Sequence, residues 1–444
     1  MLTVRTNRLK VGNVLATTIY SATGAVWLTA GTPINDEKRK QQLIDKGISF
    51  VEIKNSELDD ALETTNDREK IEYKKATEDI KAGLYTIQSK ENKINLNKVL
   101  DSSSRLVENF FQNSKMFFKS DDEIGKTLDI YDKAIAVAQY AMTLARIVED
   151  YRLKNYLDSK NDTQLRDFYS TVAVSALMHD IGLLCSEDKN LMEIAKSGVN
   201  SKIIAKVAEK SMDAALSNDI SRGRLIDNGI DINDRVELYK KFYVLLENKF
   251  VKYDDKYRPL YSYGLVKASE TVIEKSLPNM IITESAIIHQ KDNTRHTNSF
   301  VDINYVDNKG NDTDVTVVSK IINIASSYDR LSRQAAKEGR LVNPEEIISY
   351  MEKDKDQYDK RYLDMFKKNI PPYDIGDIVV MDNGMEGIVV SLRAEAPSKP
   401  VVAIKNPDYE KVENGKKFFE IDLSKEKVVI LGKKPKEDED KERE

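Results

Sequence analysis

Cysteine is almost missing from this chain: Cys185 is the one example in 444 residues. A lone thiol excludes an internal disulfide and any Cys-rich zinc site. Histidine is nearly as scarce, with His179, His289 and His296 the full complement. No run of about 18 apolar residues is evident, so a membrane span is not expected. The opening MLTVRTNRLKVGNV carries charge but no apolar core, so it does not read as a secretory signal. Basic excess is lacking too. Lys and Arg number 69 against 74 Asp and Glu, giving a formal net charge of −5 with the two signs interspersed. A nucleic-acid binder would show a basic stripe, so no nucleic-acid partner is expected. The phosphate-loop pattern G-x-x-x-x-G-K-[ST] does not occur. Together these absences point to a cytoplasmic protein.

What is present is an ordinary globular composition, 40% hydrophobic and 32% charged. The length implies about two to four structural units, since a single core stops growing well below this size. Residues 1–54 read as a small α+β unit. The runs VRTNRL, NVLATTIYS and AVWLTAGT are strand-like and are punctuated by Gly12, Gly24 and Gly31. Asn35-Asp36-Glu37 then supplies a helix start, Gly47 a stop, and ISFVEI a closing strand. Residues 55–125 are highly charged with scattered apolar positions, which suggests a helical connector.

From Ile130 the helical signal strengthens. Apolar residues at 130, 134, 137, 138, 141, 144, 145 and 148 follow amphipathic spacing. In DFYSTVAVSALMHD, Phe168, Val172, Ser175, Ala176 and His179 share a face, with Gly182 placed to stop the helix as a C′ glycine does. Further helical pattern covers 195–217, 232–250, 262–275, 279–290 and 316–334. Asn343, Pro344 and Glu346 form a capping-box signature ahead of another helix. The helical region is taken as 126–367. Beyond Pro371-Pro372 the period changes to short alternating strands with an Asn383-Gly384 hairpin, a small β unit over 368–434. The tail 435–444 mixes charges and has nothing apolar to bury, so it is expected to be disordered.

The stretch 176-ALMHDIGLLCS-186 sets His179 directly before Asp180, two potential ligands for one ion. With PPYDIGDIVVMDNGMEGIVV and the helices between, the chain resembles the HD-GYP family of bacterial cyclic-di-GMP phosphodiesterases. That resemblance implies a mainly α fold: an HD-type helical bundle with a small N-terminal α+β domain and a C-terminal β extension. It also implies a cluster of divalent ions that lowers the pKa of a bridging water. Carried over residue by residue, most of the family's site has gone. Lys133, in DKAIAVAQYA, stands where the family has its first ligand histidine. His179 and Asp180 match the HD pair, but Leu183 replaces the usual lysine. Arg258-Pro259 stands for a His-Pro pair, and His289, Gln290 and Lys291 for the family's His-His-Glu. The Gly-Tyr-Pro loop would fall on 296–299, where no Gly, Tyr or Pro remains, and Ser326 replaces the last ligand Asp.

An argument from chemistry agrees. A two-metal site of nitrogen and oxygen donors needs about six protein ligands. Lys133, Arg258 and Lys291 bring donors and positive charge but no lone pair. Three readings of those cations stay open. They pair with Asp180 and neighbouring carboxylates; they form a metal-free pocket for phosphate or a cyclic dinucleotide; or His179, Asp180 and His289 still hold one ion. His296 reads as exposed, Cys185 as a half-buried structural thiol, and Asp329 as structural. The expectation is a catalytically degenerate signalling or scaffold protein, with cyclic-di-GMP as the signal that the resemblance suggests. It would act through protein partners, need no cofactor, and could form a homodimer. The rival readings are an active metal-dependent (iron, manganese or zinc) phosphodiesterase with a reduced site, and a structural interaction protein that binds no nucleotide.

Overall fold

In the computed structural model the described residues are 2–6, 9–16, 19–20, 26–46, 48, 50–54, 61, 103, 107, 130–155, 160–186, 189–199, 201–217, 219–249, 258–270, 311–353, 358–369, 372–373, 375–392, 396, 398–406 and 417–434. They are mostly helical, with a small antiparallel sheet in the C-terminal region. Most of the 55–125 connector, the 279–290 helix and the charged tail lie outside them.

Among the described residues the N-terminal part has four short strands and one helix. β1 (Leu2–Arg5) pairs antiparallel with β4 (Phe50–Ile53), and β2 (Ile19–Tyr20) with β3 (Val26–Leu28). Helix α1 (Glu37–Asp45) starts where the sequence indicates, with the Asp36 carboxylate accepting from the Arg39 amide at 2.7 Å. Such a cap satisfies one of the first-turn amides that a helix leaves unbonded. Leu9, Leu15, Ile34, Leu43, Val51 and Ile53 close over one another as a small separate core.

The main core is helical. α2 (Ile130–Asn155) packs along α3 (Asp162–Met178), and the buried positions of α2 include 134, 137, 138, 141, 144, 145 and 148. α3 begins one turn earlier than the hydrophobic pattern suggests, because Asn161 and Gln164 make a complete capping box. Every residue from Phe168 to Met178 except Ser170 is buried, so α3 is enclosed on nearly all sides rather than along one stripe. The stretch Asp162–Ser186 has the length and composition of a membrane span, but it is largely buried in this core.

A 3-10 helix (Ile181–Ser186) leads to α4 (Lys189–Gly198) and α5 (Ser201–Ser217). The run read as one helix over 195–217 is therefore two, broken at Val199. α6 (Asp219–Asp227) and α7 (Arg235–Lys249) follow, then α8 (Arg258–Glu270), α9 (Asp314–Lys337), α10 (Pro344–Lys353) and α11 (Lys360–Asn369). α4 and α8 meet backbone to backbone. A Cβ on Gly198 would lie 1.9 Å from the Gly264 carbonyl oxygen, and one on Gly264 would lie 2.0 Å from that of Ala195. Only glycines permit this approach, which sets how closely α8 lies on α4. Tyr140, Tyr328 and Phe366 tie α2, α9 and α11 together, with ring centroids 5.1 Å to 6.1 Å apart.

The Asn343 side chain caps α10 by accepting from the Glu345 and Glu346 amides. The reciprocal bond of a full capping box, from the Asn343 amide to the Glu346 carboxylate, is not formed; Asn343 Nδ2 donates to the Leu431 carbonyl. The sheet runs β8-β7-β6-β5-β9, from β5 (Ile378–Met381), β6 (Glu386–Ser391), β7 (Val401–Lys405), β8 (Phe418–Asp422) and β9 (Ile430–Lys433), all antiparallel. Gly384, at φ +80°, supplies the left-handed residue of the β5–β6 hairpin that Asn383-Gly384 foretold. β9 docks on the helical part through paired backbone bonds between Val342 and Lys433, both 2.9 Å.

Candidate functional site

α3 ends at Met178, and His179 follows as its cap in right-handed helical conformation. The chain does not stop there through a left-handed glycine. Gly182 lies inside the 3-10 turn and is required for another reason: a Cβ on it would come within 2.4 Å of the Arg258 carbonyl and 2.6 Å of the Ser262 amide nitrogen. The Gly182 amide donates to the Ser262 hydroxyl at 2.8 Å, and that hydroxyl donates to the His179 carbonyl at 3.1 Å. Sequence reasoning missed Ser262. It clasps the His-Asp turn to α8, and its position four residues after Arg258 was the one available signal, since i and i+4 share a helix face.

This clasp brings Arg258, the first residue of α8, beside Asp180. Lys133, in the first turn of α2, reaches the same carboxylate. Lys133 Nζ donates to Asp180 Oδ2, and Arg258 Nε pairs with Oδ1 at 3.2 Å. His179 is 1% exposed; its Nδ1 donates to the Ala176 carbonyl, which turns Nε2 towards Asp180 Oδ2 at 3.3 Å. Lys133, Asp180 and Arg258 have side chains 13%, 5% and 26% exposed, so the carboxylate is more enclosed than either cation. Burial by itself would push the Asp180 carboxyl up. The charges of His179 and Lys133, the His179 hydrogen bond and the Arg258 charge outweigh it and hold the group well below the usual carboxylate range.

The other candidates divide into two groups. His289, Gln290, Lys291 and His296 lie outside the described residues. Ser326 is described, and its hydroxyl donates to the Asn323 carbonyl of its own helix, at 3.4 Å. Asp329 is held in a buried bond pair with Arg333 Nε, at 3.0 Å and 2.9 Å, as a structural carboxylate would be. Cys185 is fully buried rather than half-buried.

A resident metal can be tested against these donors. Among the described residues no three His, Cys, Asp or Glu side chains gather where they could hold an ion. Both oxygens of Asp180 already face cations, and His179 Nε2 is turned to the same carboxylate. A divalent ion here would displace Lys133 and sit against Arg258, which is strongly unfavourable in a buried setting. The described donor set does not fit a metal.

No protein-family model matches the sequence, and no curated protein matches it. Among solved structures, Bd1817, a HDG"Y"P protein from Bdellovibrio bacteriovorus, aligns over 82% of this chain and 97% of its own, at 13% identity and a TM-score of 0.37. At that score the superposition carries no argument about fold or function.

Proposed function

We propose that the chain is a catalytically degenerate HD-GYP-like protein that works by binding, as a signalling scaffold, and does not hydrolyse a phosphodiester. One observation carries the reading: the carboxylate that would anchor a metal is neutralised on both oxygens by Lys133 and Arg258. A lysine and an arginine in place of ligands cannot give electron pairs to an ion. They can hold a carboxylate, as they do Asp180, and the same ammonium and guanidinium donors suit a phosphate. Phosphate is therefore the ligand chemistry this cluster would take, provided that it competes with Asp180.

The test is hydrolysis of cyclic-di-GMP by the purified chain, supplied in turn with iron, manganese and zinc. The expected result is no turnover with any metal. Metal-dependent turnover that Asp180→Ala abolishes would replace this reading with that of an active phosphodiesterase with a reduced site. Calorimetry on the same sample with inorganic phosphate addresses the binding role. Lys133→Ala should weaken any heat signal at this cluster, because that lysine is one of the two cations paired with Asp180.

A further inference from the structure

The two edges of the C-terminal sheet are finished differently. β9 is covered: its Lys433 exchanges backbone bonds with Val342, and its Leu431 carbonyl accepts from Asn343. β8, at the other end, pairs among the described residues with β7 alone. The Asn406 amide donates to the Lys417 carbonyl and the Leu423 amide to the Pro400 carbonyl, so the odd residues of β8 bond inwards to β7. In an antiparallel ladder the alternate residues, Phe418 and Glu420, then turn their N–H and C=O outwards. Among the described residues no hydrogen bond reaches those outward groups.

An open strand edge invites another strand, and proteins usually blunt it with proline, a bulge or lysines along the strand. β8, FFEID, has none of these within it. The apolar side of the sheet also runs out to this edge. Phe419 pairs with Ile404, a core residue, on the same face as Ile421 and Leu423, yet it is 40% exposed.

We propose that β8 is a self-association edge, on which a second copy of this chain adds its own β8 antiparallel. The occupant follows from charge and register. Residues 417–422 read KFFEID, a lysine leading to two acids, so an antiparallel copy sets the basic end of each strand against the acidic end of the other. Outward groups on even residues allow Phe418 to bond with Glu420 of the partner subunit. That register places Phe419 opposite its own copy on the two-fold axis. Facing side chains approach most closely in such a non-hydrogen-bonded pair, and aromatic pairs are favourable there. Shifting the register by two residues would instead set Glu420 against its copy, which is repulsive. The interface is isologous and closes at two chains. Its strand-sized area fits a weak, concentration-dependent dimer.

Sedimentation velocity of the full chain over a range of concentrations tests this, with hydrogen exchange followed in a peptide covering 417–423. The wild type should sediment as a monomer–dimer mixture, with exchange in that peptide slowing as concentration rises. Glu420→Pro removes an outward N–H without touching the β7 ladder and should leave a monomer. Phe419→Ser should weaken association more than tenfold. If Glu420→Pro fails to fold, Glu420→Lys, which keeps every backbone group, decides the matter by the same weakening. A wild type that stays monomeric throughout would overturn the proposal. So would a dimer that persists unchanged in the folded Glu420 and Phe419 variants.

Discussion

Helix α2 carries a buried charge cluster near each end, and the two are built on opposite principles. At its C-terminal end Glu149 and Arg152 join Lys160 and Asp314. Arg152 bonds Glu149 and Asp314, both at 2.9 Å, while Lys160 lies 2.8 Å from Glu149 and 3.2 Å from Asp314. Two cations meet two carboxylates, and the Arg152 side chain also donates to the Asp312 carbonyl. Burial alone would lower the Arg152 pKa, but the neighbouring charges of Asp314 and Glu149 raise it overall. This balanced set fastens the end of α2 to the start of α9. At the N-terminal end, Lys133, Arg258 and His179 converge on Asp180. The Glu149 cluster shares its charges across two helices, whereas the Asp180 cluster gathers its donors on one carboxylate. The proposed degenerate site lies at the Asp180 end, and the Glu149 end fastens helices together.

Breaking the balanced end should cost most. Glu149 is fully buried, and Glu149→Gln leaves Arg152 and Lys160 sharing the half-exposed Asp314. Removing one partner from a buried charge set typically destabilises by about 3–5 kcal/mol, to be read by urea unfolding. Asp180→Asn should follow closely at about 3 kcal/mol, somewhat less because Lys133 and Arg258 keep partial access to water. If Asp180→Asn instead proved neutral, the cluster would not be an ion-paired centre at all.

Gly182→Ala probes the clasp rather than the charge. The new methyl would meet backbone of α8, which cannot swing aside as a side chain can, so a loss of about 2 kcal/mol is expected. Ser262→Ala should lose about 1 kcal/mol, the net worth of a buried hydrogen bond. The smallest effect is in pH. Asp180 has a folded-state pKa below its unfolded value, so its contribution is complete above the unfolded value and fades as pH falls through the folded one. The stability gap between wild type and Asp180→Asn should thus be flat from neutrality down to about pH 5 and narrow below about pH 4.

Periodicity and capping made much of the helical architecture legible. The apolar spacing of 130–148 places the buried positions of α2, and Asp36 and Asn343 mark helix starts that the structure contains. Contacts across the chain were harder to read. Gly182 looked like a helix stop because local patterns offer that role, whereas the backbone of α8 requires it. The Glu149 network escaped notice because each member is an unremarkable surface residue type, and only the packing of α2 against the start of α9 brings them together. At the site, Lys133 and Arg258 were visible as wrong residues for a ligand set. Their shared grip on one carboxylate is a tertiary fact that spacing does not encode.

The central claim is that cations have replaced a metal at Asp180. Elemental analysis of the chain, purified after incubation with iron, manganese and zinc, tests it most directly when run beside Asp180→Asn. Substoichiometric metal in the wild type, unchanged by Asp180→Asn, is the result predicted. One or more ions per chain, lost in Asp180→Asn, would contradict it.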